Sequence, residues 1–147
     1  PEEMRRFVTR ERFQRYQPIF EALWPGPVSI AVSVDGERDH WKYLHRGLGS
    51  IAFRVPPPGA LQELVHNVGP IAAPSANREG GRPAESIQEA RAIFGGSVCA
   101  YVEGGYLSGE PSTLISLENE DIVLVREGKV DERTLQKSLG DAVIRRR

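Results

Sequence analysis

Cysteine occurs once in the 147 residues, at Cys99, so no disulfide can form within the chain. Cys99 lies in an apolar stretch, which predicts a buried thiol, and this sparing use of cysteine fits a reducing, cytoplasmic location. No apolar run approaches the roughly 20 residues of a membrane-spanning helix, and no signal-peptide pattern occurs. The formal net charge of −1 gives no global field that would attract nucleic acid. Length and composition instead predict one compact globular domain over residues 1–147.

Several sequence motifs that indicate a particular chemistry are also absent. The chain contains neither a G-x-x-x-x-G-K-[ST] phosphate loop nor a G-x-G-x-x-G motif. It has no paired Cys/His spacing for a metal ion and no G-x-S-x-G nucleophile motif. The three histidines, His40, His45 and His66, fall at expected loop or helix positions, and His66 is expected to be exposed. We therefore assign no catalytic side chain and no metal ligand from the sequence.

Apolar periodicity predicts interspersed helices and strands. Helical patterns cover residues 2–24 and 59–67, and two further helices are expected behind the N-caps Ser86 and Asp131. Predicted strands cover residues 28–34, 50–55, 71–73, 98–102, 112–117 and 122–126. This order favours the α/β class, with a twisted, mixed sheet.

The segments between these elements are predicted to be irregular. Asp35-Gly36 is typical of a turn, and the polar residues 37–49 are expected to form a loop. The run Arg145-Arg146-Arg147 is expected to be a solvated, frayed tail, with RNA contact as the other interpretation.

Short polar side chains and one arginine recur at the ends of the apolar runs: Ser29, Ser75, Asn77, Ser112, Thr113 and Arg126. Ligands of open α/β sheets collect where strand ends and loops meet. Hydroxyl and amide groups can bind phosphate or carboxylate oxygens there, and an arginine adds a bidentate anchor. The same residue types are common turn formers and helix caps, so each segment by itself has a purely structural interpretation.

Five segments, taken in order, resemble one family. WPGPVS (24–29), SIAFRVP (50–56), GPIAAPSAN (69–77), GEPSTLISL (109–117) and IVLVREGKV (122–130) look like the YrdC-like domain of L-threonylcarbamoyladenylate synthases. The resemblance covers about residues 20 to 135. It implies a twisted mixed sheet surrounded by helices, with a large, positively lined concave cavity.

The resemblance also implies a reaction. Such enzymes join L-threonine, bicarbonate or carbon dioxide, and ATP into threonylcarbamoyl-AMP with release of pyrophosphate. A partner transferase complex then passes the threonylcarbamoyl group to a tRNA adenosine beside the anticodon. Mg²⁺ is expected on the ATP phosphates, held mostly by substrate and water.

Site residues carried over from the family motifs fall into three groups. The positions expected to contact ATP are Ser29, Asn77, Ser86 and Arg126. Those expected to contact L-threonine are Ser75, Ser112 and, more weakly, Ser33, at a position where the family often has a longer basic side chain. Arg54 of FRVP is expected to line the cavity.

The family's N-terminal T-D-T-x-Y-G-like turn and K-x-R motif, which bind ATP phosphates, are not in this sequence. The chain alone is therefore expected to be a crippled synthase. Three alternatives stay open from the sequence: a carbamoyl-phosphate-dependent carbamoyl-transfer domain, a non-catalytic paralogue, and an RNA-binding module. The last would use Arg78, Arg82 and Arg91, near the PSAN loop. The carbamoyl-transfer domain is disfavoured because it would bring zinc-finger-like cysteines.

Overall fold

A computed structural model describes residues 2–34, 39–107, 109–118 and 121–146. The chain forms two compact units: Pro1–Ile71 with Ser112–Arg147, the sheet unit, and Ala72–Pro111, the PSAN unit. After a 3₁₀ turn at Glu2–Arg6, the helices are α1 (Arg10–Leu23), α2 (Asp39–His45), α3 (Ala60–Val68), α4 (Ile87–Phe94) and α5 (Glu132–Leu139). The strands are β1 (Val28–Ser33), β2 (Ser50–Phe53), β3 (Thr113–Glu118), β4 (Asp121–Arg126) and β5 (Ile144–Arg146). Within the described ranges, none of the helices has the length and apolar character needed to cross a bilayer.

The sheet unit is built on one five-stranded mixed sheet in the order β2-β1-β3-β4-β5. Strand β1 pairs antiparallel with β2 and parallel with β3, β3 pairs antiparallel with β4, and β4 pairs parallel with β5. The predicted α/β class with a mixed sheet is confirmed.

The core lies on one face of this sheet. Burial alternates along β1 and β3, so that Val28, Ile30 and Val32 point into the core while Ser29 does not. Helix α1 is amphipathic and contributes Phe13 and the other residues of one face, Tyr16, Phe20 and Leu23. This alternation places Ser29 on the opposite face of the sheet, together with Ala31 and Leu114.

The PSAN unit carries helix α4 and loops. Ser86 caps α4 as predicted, since its Oγ accepts a hydrogen bond from the Glu89 backbone amide at 3.2 Å. The Glu89 carboxylate accepts from the Glu85 amide at 3.0 Å, one residue before the position of a regular capping box. Asp131 caps α5 in the sheet unit in the same way, accepting from the Thr134 amide at 2.8 Å.

Two predicted strands are wrong. Residues 71–73 and 98–102 form no strand in the structure. Both runs are short, and neither pairs with a strand in the described part of the PSAN unit. Without such a partner, β-propensity alone does not make a strand. Cys99 is consequently exposed rather than buried.

Two segments are more ordered than predicted. The expected loop over 37–49 contains α2. The centre of its Trp41 ring lies 4.4 Å from the centre of the Phe7 ring, which is distant in the chain. The expected frayed tail forms β5, and Arg145 pairs with Asp121 at 3.1 Å while Arg146 pairs with Glu132. The predicted Asp35-Gly36 turn and Arg147 lie outside the described residues.

Candidate substrate site

The site in the sheet unit is centred on two serine hydroxyls. Ser29 Oγ, near the start of β1, lies 2.8 Å from Ser112 Oγ, just before β3. The parallel pairing of β1 and β3 brings these two positions together, and both residues are half-buried. A predicted ATP contact and a predicted L-threonine contact are therefore immediate neighbours.

The segment WPGP (24–27) lies directly before β1 and positions the strand that carries Ser29. A side chain on Gly26 would place its Cβ 2.8 Å from the Leu23 carbonyl oxygen, so only glycine fits without a shift. The Gly26 amide donates to Val55 O at 2.9 Å, and the Trp24 indole N–H donates to Val28 O at 2.7 Å. These two hydrogen bonds fix the start of β1 relative to Val55, which follows β2, and to Trp24 at the end of α1.

Arg126 reaches the same place from β4. Its Nη2 donates to the Ser112 carbonyl oxygen at 3.0 Å. A β-bulge interrupts the β3–β4 pairing here: Leu114 pairs with Arg126 while Ile115 pairs with Leu124, so Val125 is an extra residue. In the uninterrupted register Arg126 would lie opposite Thr113, on the core face. The bulge thus turns an arginine onto the face that carries Ser29.

Arg54 lies on the same face of the sheet, on the side of Ser29 opposite to Arg126. It follows Phe53, which pairs with the buried Ile30, so strand alternation places Arg54 on the side away from the core. Arg54 is exposed. Its backbone and that of Arg126 stand about three strand spacings apart, or roughly 14 Å. Two arginine positions therefore flank the serine pair along the sheet, and arginine is a residue type suited to binding phosphate or carboxylate.

Ser33 is not brought to this cluster. It lies four residues beyond Ser29 along β1, about 13 Å away, and its carbonyl oxygen accepts a bond from Arg12 Nη1 at 3.3 Å. One L-threonine molecule cannot touch both Ser33 and Ser112. Of the two, Ser112 is the one with a polar cluster around it.

The PSAN loop holds the predicted site residues of the other unit. A tight turn, with the Asn77 amide donating to Ser75 O at 2.9 Å, projects Ser75 into solvent. Asn77 Nδ2 donates to Arg78 O at 2.7 Å, whereas its buried Oδ1 accepts no hydrogen bond from the described residues. A buried amide oxygen without a donor carries an energetic cost, so this side chain is not fully satisfied within the PSAN unit. Ser86, by contrast, already uses its hydroxyl as the α4 cap.

The arginines of the proposed RNA surface have partners within the PSAN unit. Arg78 Nη2 donates to Ile93 O at 3.3 Å, and Arg82 lies 3.3 Å from both the Glu85 and Glu89 carboxylates. The Arg91 guanidinium lies 4.8 Å from the centre of the Tyr101 ring. Each of the three cations thus has a contact within the PSAN unit.

Glu85 organises the end of the same unit. The Tyr106 hydroxyl donates to its carboxylate at 2.5 Å, and this bond raises the pKa of Tyr106 above its ordinary value. No group of three or more His, Cys, Asp or Glu side chains able to hold a metal ion occurs within the described ranges.

The sequence placed Thr113 among the polar residues at strand ends but gave it no specific role, and it is the one buried polar residue among those described. Its position in PST was the available signal, but only the structure shows that its hydroxyl makes three hydrogen bonds.

The protein is a mixed α/β domain in which two serine hydroxyls and Arg126 meet beside β1 and β3. The chain belongs to the Sua5/YciO/YrdC family, whose model, described as "Telomere recombination", matches residues 1–128. The predicted YrdC-like resemblance is confirmed.

Relatives with assigned names agree with this. The chain is 36% identical over 90 residues to a threonylcarbamoyl-AMP synthase of Yersinia enterocolitica, covering 59% of this chain and 46% of that protein. It is 26% identical over 136 residues to the threonylcarbamoyl-AMP synthase of Pyrococcus abyssi, covering 91% of this chain and 39% of that protein. The chain thus spans about half the length, or less, of these curated relatives.

A crystal structure of P. abyssi Sua5 complexed with L-threonine has the same fold. It matches with a TM-score of 0.75 at 25% identity, over 94% of this chain and 43% of that one.

Proposed function

We propose that this chain takes part in the synthesis of threonylcarbamoyl-AMP from L-threonine, bicarbonate or carbon dioxide, and ATP. The observation that carries the proposal is the 2.8 Å contact between Ser29 and Ser112, within reach of Arg126, in a member of this family. The adjacent hydroxyls would hold ATP and L-threonine side by side. The names of the relatives, and the L-threonine bound to P. abyssi Sua5, support the substrate assignment.

In the proposed reaction, the amine of L-threonine adds to carbon dioxide and loses a proton, giving a carbamate. A carbamate oxygen attacks the α-phosphorus of ATP, the bond to the β-phosphate oxygen breaks, and pyrophosphate leaves. Such a transfer depends on positioning and charge stabilisation rather than on covalent catalysis. Arg126 and Arg54 would neutralise phosphate charge, while Ser29 and Ser112 orient the two substrates.

Mg²⁺ would arrive as part of the substrate, on the ATP phosphates. The product would pass to a transferase complex that acts on tRNA, in the cytoplasm. Ser75 and Asn77 are proposed to contact L-threonine and ATP, respectively, as the motif predicts, and Ser33 and Ser86 keep only their sequence-based assignments.

The test is pyrophosphate release by the gene product that contains this chain, with ATP present and L-threonine and bicarbonate each omitted in turn. We expect release that requires both co-substrates. ATP hydrolysis that ignores L-threonine, or salt-sensitive RNA binding without any nucleotide turnover, would contradict the proposal.

A further inference from the structure

Thr113 is buried completely at the point where the strands of the site meet. None of its surface is exposed, yet its hydroxyl is polar, so the hydrogen-bonding capacity of that hydroxyl has to be used. Thr113 Oγ1 accepts from the Gly128 amide at 3.1 Å and from the Val130 amide at 3.0 Å, and it donates to the Val130 carbonyl oxygen. One donor and two acceptor positions are the full capacity of a hydroxyl, and all three are satisfied.

These bonds tie together the three segments that carry the site. The Thr113 amide donates to Pro27 O at 3.1 Å, two residues before Ser29. Ser112 is the preceding residue in the chain. Gly128 and Val130 belong to the turn that follows β4, which ends at Arg126. A single side chain therefore sets the position of this turn relative to the two serines.

Because the turn begins directly after Arg126, its position determines where β4 ends and how the arginine is directed. Arg126 itself is exposed, and the described residues offer its guanidinium one hydrogen bond, to Ser112 O. An exposed side chain with a single bond needs a fixed backbone to stay in place. We infer that Thr113 is a positioning residue, whose hydroxyl fixes the turn after β4 and so holds Arg126 on the Ser112 carbonyl for substrate binding. The inference rests on the proposed function, since it assigns Arg126 to the substrate.

The experiment compares Thr113→Val with Thr113→Ser in the protein that contains this chain. Valine keeps the shape and leaves the Gly128 and Val130 amides without an acceptor, whereas serine keeps the hydroxyl. Leu135→Ala is the control for a general loss of core packing, because Leu135 is a fully buried core residue whose side chain makes no hydrogen bond to the turn after β4. Thr113→Ala, which also removes the hydroxyl but adds no methyl group in its place, replaces the valine variant if that variant does not fold.

The first readout is the dissociation constant of ATP by calorimetry. We expect about tenfold weaker binding for Thr113→Val and near wild-type binding for Thr113→Ser. The double variant Thr113→Val/Arg126→Ala should bind no more weakly than Arg126→Ala alone, because Thr113 acts through Arg126. Unchanged affinity in a folded Thr113→Val, or additive losses in the double variant, would overturn the inference.

The second readout does not depend on ATP. The Nε–H resonance of Arg126 in the nuclear magnetic resonance spectrum should shift in Thr113→Val and stay unchanged in Leu135→Ala. If the wild type binds no ATP, the proposed function fails while this readout still decides the role of Thr113. An unshifted Arg126 resonance in Thr113→Val would overturn the inference by itself.

Discussion

Ser29 Oγ and Ser112 Oγ lie 2.8 Å apart although 83 positions separate the two residues in the chain. The bond joins two strands that run parallel, so their connection has to cross from one end of the sheet to the other. Each serine is proposed to contact a different substrate, although the shared hydrogen bond means that each single substitution also removes a partner of the other.

The first prediction concerns these two hydroxyls. Ser29→Ala should raise the KM for ATP, and Ser112→Ala the KM for L-threonine, each by about five- to thirtyfold, the loss of one or two kcal/mol. Ser138→Ala is the matched control, because Ser138 is an exposed α5 hydroxyl that donates to Thr134 O. Steady-state kinetics with each substrate varied in turn separate the two effects. If both variants changed only the KM for ATP, the assignment of Ser112 to L-threonine would be incorrect.

The second prediction concerns the geometry of Arg126. Its guanidinium can hold the Ser112 carbonyl and a phosphate oxygen together, whereas a lysine ammonium is a single point of charge. Arg126→Lys should therefore lower kcat/KM for ATP by about ten- to a hundredfold, with little change in the KM for L-threonine. Arg133→Lys, on the exposed surface of α5, serves as the comparison. Full activity of Arg126→Lys would show that charge alone suffices.

The third prediction concerns the core. Phe20 is 1% exposed and stacks on Trp24 with ring centres 5.0 Å apart. Phe20→Ala should lower the free energy of unfolding by about 3–5 kcal/mol. Val102→Ala, at a side chain 90% exposed, should change it by less than about 0.5 kcal/mol. Urea titration of both variants measures the difference, and comparable losses would refute the assignment of the core to the α1 face.

The fourth prediction is a pH dependence. Hydrogen bonds from the Thr134 side chain and amide lower the pKa of Asp131 below its ordinary value. A carboxylate with a lowered folded-state pKa stabilises the fold above its unfolded pKa of about 3.9 and loses that contribution as the pH falls through the folded pKa. Asp131→Asn keeps the cap without the charge. The stability difference between wild type and Asp131→Asn should be present near pH 7 and shrink below about pH 4. A difference independent of pH would contradict this origin.

Prediction from the sequence succeeded where neighbours in the chain make the structure. The caps Ser86 and Asp131 bond to amides three residues away, so the residues that decide them are visible locally. The strands β1, β3 and β4 could likewise be predicted from their alternating apolar residues, because one buried face imposes a period of two.

Prediction failed where a distant partner decides. Residues 71–73 and 98–102 have strand-like composition, but no strand among the described residues pairs with them. Arg145 and Arg146 are ordered because β4 pairs with Ile144–Arg146. The helix at Asp39–His45 packs Trp41 on Phe7, which lies more than thirty positions earlier. Propensity cannot indicate such contacts, because it describes one stretch of chain at a time.

The amino-acid sequence by itself determined the α/β class, the family motifs and the identities of Ser29, Ser112 and Arg126. Only the tertiary structure decided that these three side chains meet, through the pairing of β1 with β3 and the bulge at Leu114. It also showed that Ser33 lies about 13 Å from Ser29 along β1. The Thr113 hydroxyl, in turn, is committed to the turn after β4. The physical reason is that strand register and burial depend on hydrogen bonds and packing between segments far apart in the chain.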